Sequence, residues 1–315
     1  MNSIRELLPL EQRDSFDHIM HERVLGAGSH IRMIGDFFKS IVLNAKNSRE
    51  AYEKIAAVGG FFAETRGKSS YAVLKAIEEM STGLQPHSSA PLEEFTALVI
   101  TRVEGYHQHV RQNAEKIVQF AIKESLHFEK ILLFDYSSTV DKFIAALPRP
   151  IDIYIAESRV INGGYPFLAS ALNAGHKVHF FPEANLEVFM PQMDAVFIGA
   201  ETFYLDGTAF NTAGSDVAAV LAKFHHVPYY VLTPLSKLDP RTLEGQYKQE
   251  IWRDMKAQLT ERWEDKDWAE QISFMTKELV GVRPEFIYRY ITEAGIFPPH
   301  FIPFFVDNLK MAGVQ

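Results

Sequence analysis

Between Ile131 and Pro240 the chain alternates short, continuous apolar runs with polar turns and amphipathic stretches. Ile131-Leu132-Leu133-Phe134 runs into Asp135-Tyr136-Ser137-Ser138-Thr139, and Ile151-Asp152-Ile153-Tyr154-Ile155 runs into Ala156-Glu157-Ser158-Arg159. Ala195-Val196-Phe197-Ile198 is followed by Gly199-Ala200-Glu201, and Tyr229-Tyr230-Val231-Leu232 by Thr233-Pro234. Apolar runs of this length are those of parallel strands covered by helices on both faces. The pattern predicts the intervening helices over 138–147, 165–174 and 215–225. In an α/β sheet of this kind, ligands bind outside the carboxyl ends of the strands. The polar clusters therefore converge on one edge.

The first 125 residues read as helices. Ile31, Ile34, Phe37, Phe38, Ile41 and Val42 form one apolar stripe within 29–44, where Gly26-Ala27-Gly28 breaks the preceding pattern and Ser29 is placed to cap. Further helices are expected over 15–21, 48–62, 69–80 and 92–124, with a loop by composition at 81–91. Beyond the α/β region, the charged segment 245–277 reads as a helical insertion holding all three tryptophans, Trp252, Trp263 and Trp268. Their spacing is that of residues packed in a core or an interface. Phe301-Ile302-Pro303-Phe304-Phe305 is too apolar for a free tail and is expected to pack on the sheet or on another subunit. The division expected is 1–125 and 126–315.

Composition narrows the classes. A net charge of -8 and no long basic run speak against nucleic acid as a partner. No run of 18 apolar residues calls for a membrane span, and no amino-terminal signal pattern is seen, so a cytoplasmic location is expected. The absence of cysteine excludes disulfides, a thiolate nucleophile and Cys-ligated zinc. The 12 histidines form no metal-ligand pattern, and no cofactor is expected.

Four constellations could carry chemistry. The turn 135–139 sets hydroxyls and backbone N–H groups at a strand-to-helix junction, which suits an anion; Ser137 or Ser138 would equally serve as a helix cap. Glu157-Ser158-Arg159 followed by Gly163-Gly164 offers a guanidinium fork and a close backbone approach, or else an ion pair that fixes a loop. Gly199-Ala200-Glu201 with Asn211-Thr212-Ala213-Gly214 offers a carboxylate and sugar contacts at another strand end. Thr65-Arg66-Gly67-Lys68-Ser69-Ser70 is a small basic turn without the P-loop spacing.

Taken in order, these segments resemble the superfamily of the alpha, beta and delta subunits of translation initiation factor two-B, methylthioribose-1-phosphate isomerase and ribose-1,5-bisphosphate isomerase. Gly26-Ala27-Gly28-Ser29, Thr65-Arg66, 135–140, Glu157-Ser158-Arg159, 198–201, 211–214, 233–240, 283–287 and 291–296 carry the resemblance. It implies an α/β protein: an N-terminal helical domain, then a Rossmann-like, mostly parallel sheet flanked by helices. It also implies a homodimer formed through the C-terminal domain, and a pocket between the domains for a phosphorylated ribose or nucleotide. Arg66 and Arg159 match the family's phosphate- and substrate-contacting arginines and Asn211 its sugar contact. Gly26, Ala27, Ser137, Ser138, Gly163 and Thr212 stand at the remaining contact positions.

The departures concern the reacting groups. Asp135 stands where the isomerases have cysteine, Glu201 where they have aspartate, Leu25 where they have arginine, Gly163 for glutamine and Thr212 for lysine. A carboxyl for a thiol changes the protonation chemistry, and one added methylene shifts the second carboxylate by about 1 Å, enough to cost on the order of 100-fold in rate. The factor-type subunits also lack the cysteine and carry a Tyr-Ser pair like Tyr136-Ser137. The first expectation is thus a regulatory or sensor protein that binds a phosphorylated ribose or nucleoside monophosphate. The alternatives are an aldose-ketose isomerase in which Asp135 and Glu201 share the acid-base work, and a scaffold subunit of a protein complex.

Overall fold

The computed structural model describes residues 2–21, 23, 26–248, 250–265 and 267–305. The chain divides into two compact units, Met1–Asn113 and Ala114–Gln315. The first contains α1 (Asn2–Leu7), α2 (Leu10–Met20), α3 (Ala27–Asn44), α4 (Ser48–Glu64), α5 (Arg66–Ser69), α6 (Tyr71–Ser81) and the start of α7 (Leu92–Glu124). The apolar stripe of α3 is buried from Ile31 to Val42 against Phe16, Phe62 and Val103. Asn47 caps α4, its Oδ1 accepting the Glu50 N–H at 2.9 Å, which satisfies one of the orphan donors of the first turn. Ser29 does not cap α3 as expected. The helix begins at Ala27, and Gly26, at φ +89°, takes the cap position because that backbone suits glycine.

After α7, the second unit continues with β1 (Lys130–Leu133), α8 (Ser138–Ala145), β2 (Asp152–Ala156), α9 (Phe167–Asn173), β3 (Lys177–Phe181), α10 (Leu186–Phe189) and β4 (Ala195–Ile198). Then come β5 (Thr202–Tyr204), β6 (Ala209–Thr212), α11 (Ser215–Phe224), β7 (Tyr229–Leu232) and β8 (Leu238–Asp239). The last part holds β9 (Trp252–Asp254), α12 (Lys256–Leu259), β10 (Met275–Lys277), β11 (Leu279–Val282), β12 (Arg289–Thr292) and β13 (Gly295–Phe297). A seven-stranded sheet has the order β13-β12-β7-β4-β1-β2-β3, parallel except for β13. Its four central strands fall where the apolar runs predicted them. Residues alternate between the two cores: Ile131, Ile153, Phe197 and Tyr230 face one, Leu132, Tyr154, Val196 and Tyr229 the other. This period of two, with both faces buried, is why the strands read as continuous apolar runs.

A four-stranded sheet of order β11-β6-β5-β8 adjoins the carboxyl end of β4 through Glu201, whose N–H bonds the Phe210 carbonyl at 2.8 Å. The expected helical insertion at 245–277 is overturned. Its main features are the antiparallel β9–β10 pair, with Met275 opposite Asp254, and the single turn α12. Pairing across some twenty residues, supported by the bonded Arg253–Glu278 pair at 2.7 Å, prevails over the local helical propensity. The tryptophans are not in this chain's core either: Trp252, Trp263 and Trp268 are 50%, 39% and 71% exposed. In the apolar tail Ile302 is fully buried and Phe305 lies 4.4 Å from Phe297, while Phe301 and Phe304 remain exposed. Among the described residues no helix is long and apolar enough to cross a membrane.

Candidate functional site

From β1 the chain winds outward through β2 and β3, then returns to the other side of β1 as β4. The winding thus reverses between β1 and β4, and in doubly wound sheets the crevice at such a point is where ligands sit. Asp135 follows β1 and Gly199-Ala200-Glu201 follows β4, so both expected acid-base positions belong to this switch point.

Asp135 is the centre of the constellation. It is 5% exposed and adopts φ +59°, a left-handed backbone that costs a non-glycine residue energy, though aspartate tolerates it better than most. The segment following β2 closes over it. Ser158, fully buried and itself at φ +49°, donates from Oγ to Asp135 Oδ1 at 3.3 Å. Gly163 lies so close that a Cβ there would come within 1.9 Å of the same oxygen. The segment is folded by Gly163 N–H on Ser158 O at 3.1 Å and Gly164 N–H on Glu157 O at 3.0 Å. Burial pushes the Asp135 carboxyl up to about 6, against the opposing pull of the Thr212 hydroxyl, the Tyr136 N–H and the Ser158 hydroxyl. An acid so placed exchanges its proton near neutrality.

Ser137 and Gly199 mark a close approach of the two strand ends, since a Cβ on Gly199 would be 2.4 Å from Ser137 Cβ. Ser137 also caps α8, its Oγ accepting the Val140 N–H at 3.5 Å. Asn211 and Thr212 close the far side from the end of β6. Asn211 Nδ2 donates to Gly199 O at 3.2 Å, its Oδ1 accepts the Thr212 N–H at 2.9 Å, and Ser215 Oγ bonds Thr212 O at 2.7 Å. Asp135, Ser137, Gly163, Asn211 and Thr212 are thereby brought together, with Glu201 half-buried at the start of β5.

Other expected residues stand apart. Ser138 is exposed on the first turn of α8. Arg159 is half-exposed, 3.7 Å from Glu157, and its N–H bonds the Glu183 carboxylate at 2.9 Å; burial raises the Glu183 carboxyl. Gly26, Ala27 and Arg66 belong to the first unit. Ala27 is a core residue there, and Arg66 Nη2 donates to the Ile19 carbonyl at 2.5 Å. Lys68 pairs with Glu64 at 2.7 Å, which lowers the positive charge of that turn. Leu25 lies outside the described residues.

One residue of the site carried no role in the sequence reading. Lys237 follows β7, and its Nζ reaches back to donate to the Ala200 carbonyl at 2.6 Å. Burial lowers its pKa while the Glu201 charge raises it. The signal was a lone lysine in the turn between two strands, but nothing local indicated which neighbouring strand it would reach. Among the described residues no cluster of His, Asp and Glu has the make-up of a metal site.

With this geometry in hand, comparisons with known proteins are informative. The sequence matches the initiation factor 2 subunit family over residues 29–299. It is 22% identical to the ribose 1,5-bisphosphate isomerase of Pyrococcus furiosus across 304 residues, covering 94% of this chain and 92% of that protein. The 5-methylthioribose 1-phosphate isomerase of Pyrococcus horikoshii superposes with a TM-score of 0.78 at 18% identity, over 98% of this chain and 92% of that one. The translation initiation factor eIF-2B of the same organism superposes with a TM-score of 0.74 at 16% identity, over 93% and 98% of the two chains. These structural likenesses show a shared fold.

Proposed function

The chain belongs to the initiation factor 2 subunit family, and from that premise we propose that the carboxyl edge of its second unit binds a phosphorylated ribose or nucleoside monophosphate. On this reading the chain is a regulatory or sensor protein for that ligand. The observation that carries it is the meeting of Asp135, Ser137, Asn211 and Thr212 at the β1–β4 switch point. There, hydroxyl, amide and carboxyl groups are set beside glycines that admit a ligand close to the backbone. A homodimer through the second unit completes the proposal, supported by the apolar side chains that unit leaves exposed, Trp252, Trp268 and Phe224 among them. Sedimentation analysis tests that part.

A specific observation favours a second reading, aldose-ketose isomerisation: the Asp135 carboxyl is pushed up to about 6. On an open-chain aldose phosphate, the Asp135 carboxyl would give a proton to the C1 carbonyl oxygen while the Glu201 carboxylate takes the one on C2. The resulting enediol would recover a proton at C1 from Glu201 and return the O2 proton to Asp135, leaving the ketose. A carboxyl whose pKa is raised by burial suits the donor role beside a second carboxylate.

Thermal melting with ribose 5-phosphate, and with ribose as control, tests the binding, because a ligand that binds only the native state raises the melting temperature. No shift with the phosphorylated sugar would defeat both readings. With ligand saturating, NMR in heavy water then separates them. Deuterium entering the sugar at C1 or C2, and lost in Asp135→Asn, selects the isomerase; its absence selects the sensor.

A further inference from the structure

A cavity of about 570 Å³ opens at the opposite edge of the seven-stranded sheet. It is lined where α7 ends before β1, where α11 turns into β7, and in the turn that leads to β12, all within the second unit. Parallel strands begin on one edge and end on the other. The four residues of β7 therefore set this cavity about 13 Å from the edge that carries Asp135. Its volume is that of a pocket for a small organic molecule.

The walls are aromatic. Phe128 and Tyr230 are buried with ring centroids 6.4 Å apart, and Tyr288 sets its ring edge-to-face against Tyr230 at 5.5 Å. Phe286 belongs to the same lining. The two acids of the cavity are already engaged. Glu124 accepts the Tyr230 hydroxyl at 2.8 Å and lies 3.7 Å from Arg289, and Glu285 lies 3.1 Å from Arg283. Burial, reinforced by the Glu124 charge, pushes the Tyr230 phenol up, so it stays a donor to that carboxylate. The basic groups are differently placed. Among the described residues the side chains of Lys223, His127 and His226 form no ion pair and no hydrogen bond.

His226 carries a second sign. The end of α11 is closed by the Val227 N–H on Ala222 O at 2.8 Å and the His226 N–H on Lys223 O at 3.3 Å, with His226 at φ +58°. Such a turn favours glycine at this position, because a Cβ makes the left-handed backbone costly. Strain of this kind gathers at ligand sites. The dipole of α11 favours a cation in the last turn, yet its roughly half charge does not neutralise Lys223.

We propose that this cavity is a second ligand site, for an aromatic anion, with Lys223 and His226 holding the acidic group and Phe286 and Tyr288 the ring system. It goes beyond the ribose-phosphate reading and does not depend on it.

The test is fluorescence titration of the full chain with 1-anilinonaphthalene-8-sulfonate, with the uncharged N-phenyl-1-naphthylamine as control. The sulfonate should bind at one site and about 10-fold more tightly than the control, the low end for hydrogen bonds to a charged group. Lys223→Met should remove that preference, and Tyr288→Ala should weaken both probes. His226→Gly should weaken the sulfonate while raising the melting temperature, an opposed pair of effects that loss of structure cannot produce. Trp268→Ala, which removes an exposed ring outside the cavity, and saturating ribose 5-phosphate should leave the titration unchanged. Equal affinity for the two probes, unchanged sulfonate binding in Lys223→Met or His226→Gly, or displacement by ribose 5-phosphate would overturn the proposal. Thermal melting with ribose 5-phosphate decides the other edge separately.

Discussion

Gly163 and Asp135 occupy adjoining space that only a glycine leaves open, since a Cβ at 163 would meet Asp135 Oδ1 at 1.9 Å. The carboxyl is therefore covered on this side by backbone, and the segment after β2 acts as its roof. This contact explains how an acid at a strand end is kept from water in a region where loops are ordinarily wet. It also makes the roof and the acid interdependent.

Gly163→Ala should thus displace either the roof or the carboxyl. The added methyl costs about 1–3 kcal/mol, as overpacking of a filled site does. Urea denaturation should show the loss, and the affinity for ribose 5-phosphate should fall with it. An alanine variant with wild-type stability and affinity would show that the roof yields freely.

Asp135→Asn should change how stability depends on pH. The wild-type carboxyl has its folded pKa raised from 3.8 to about 6, so the folded chain holds this proton more tightly than the unfolded one. Its stabilising contribution is complete below pH 3.8 and is lost as pH rises through about 6. The loss amounts to about 3 kcal/mol at about 1.4 kcal/mol per pKa unit. Asparagine tolerates the left-handed backbone and does not titrate. The stability of the variant relative to wild type should therefore rise between pH 4 and pH 7 by about that amount. Denaturation curves at several pH values give the answer, and a difference independent of pH would contradict the burial of this acid.

His176 joins two elements that the sheet alone would not. It is 5% exposed; its Nδ1 accepts the Ile151 N–H at 3.1 Å, and its Nε2 donates to the Ile144 carbonyl at 2.8 Å. Replacement by leucine fills much of the volume but leaves the Ile151 N–H unpaired, while the Ile144 carbonyl keeps the Leu147 N–H at 3.4 Å. An unpaired buried donor costs about 1–3 kcal/mol, so His176→Leu should lose about that amount in denaturation. A loss well below about 1 kcal/mol would mean that water or backbone rearrangement satisfies the Ile151 N–H.

Two helix glycines of the first unit should respond in opposite directions. A Cβ on Gly60 in α4 meets nothing within 4 Å, so Gly60→Ala should stabilise by about 0.5–1 kcal/mol through helix propensity. A Cβ on Gly35 in α3 would lie 2.8 Å from His107 Nε2 and 2.9 Å from Val103 Cγ1. There the clash outweighs the propensity gain, and Gly35→Ala should destabilise by about 1 kcal/mol. Thermal melts of the two variants in parallel provide the comparison. Shifts of the same sign would refute the close approach of α3 and α7.

Much of the fold was legible because its signals are local. The four central strands are short apolar runs ended by polar turns, and α7 spans the range its pattern predicted, Leu92–Glu124. The 245–277 segment was misread because charge and tryptophan spacing imitate a helix, while the β9–β10 pairing depends on residues far apart in sequence. The strands β5, β6, β8 and β11 are two to four residues long, too short to give a periodic signal of their own.

The site divides in the same way. Residue order alone placed Asp135 and Glu201 at strand ends, because parallel strands alternating with helices must gather their carboxyl ends on one edge. Three other features depend on contacts between segments distant in the chain. The switch point lies between β1 and β4 because the strand order is 3-2-1-4. Asp135 is an acid near neutrality because burial beneath the next strand's loop, where Gly163 lies against it, outweighs the hydrogen bonds that favour its ionised form. Lys237 belongs to the site because its side chain crosses from the end of β7 to the Ala200 carbonyl. The sequence by itself determined which chemical groups stand at the strand ends; burial and neighbours, which set their protonation and charge, were decided by the tertiary structure alone.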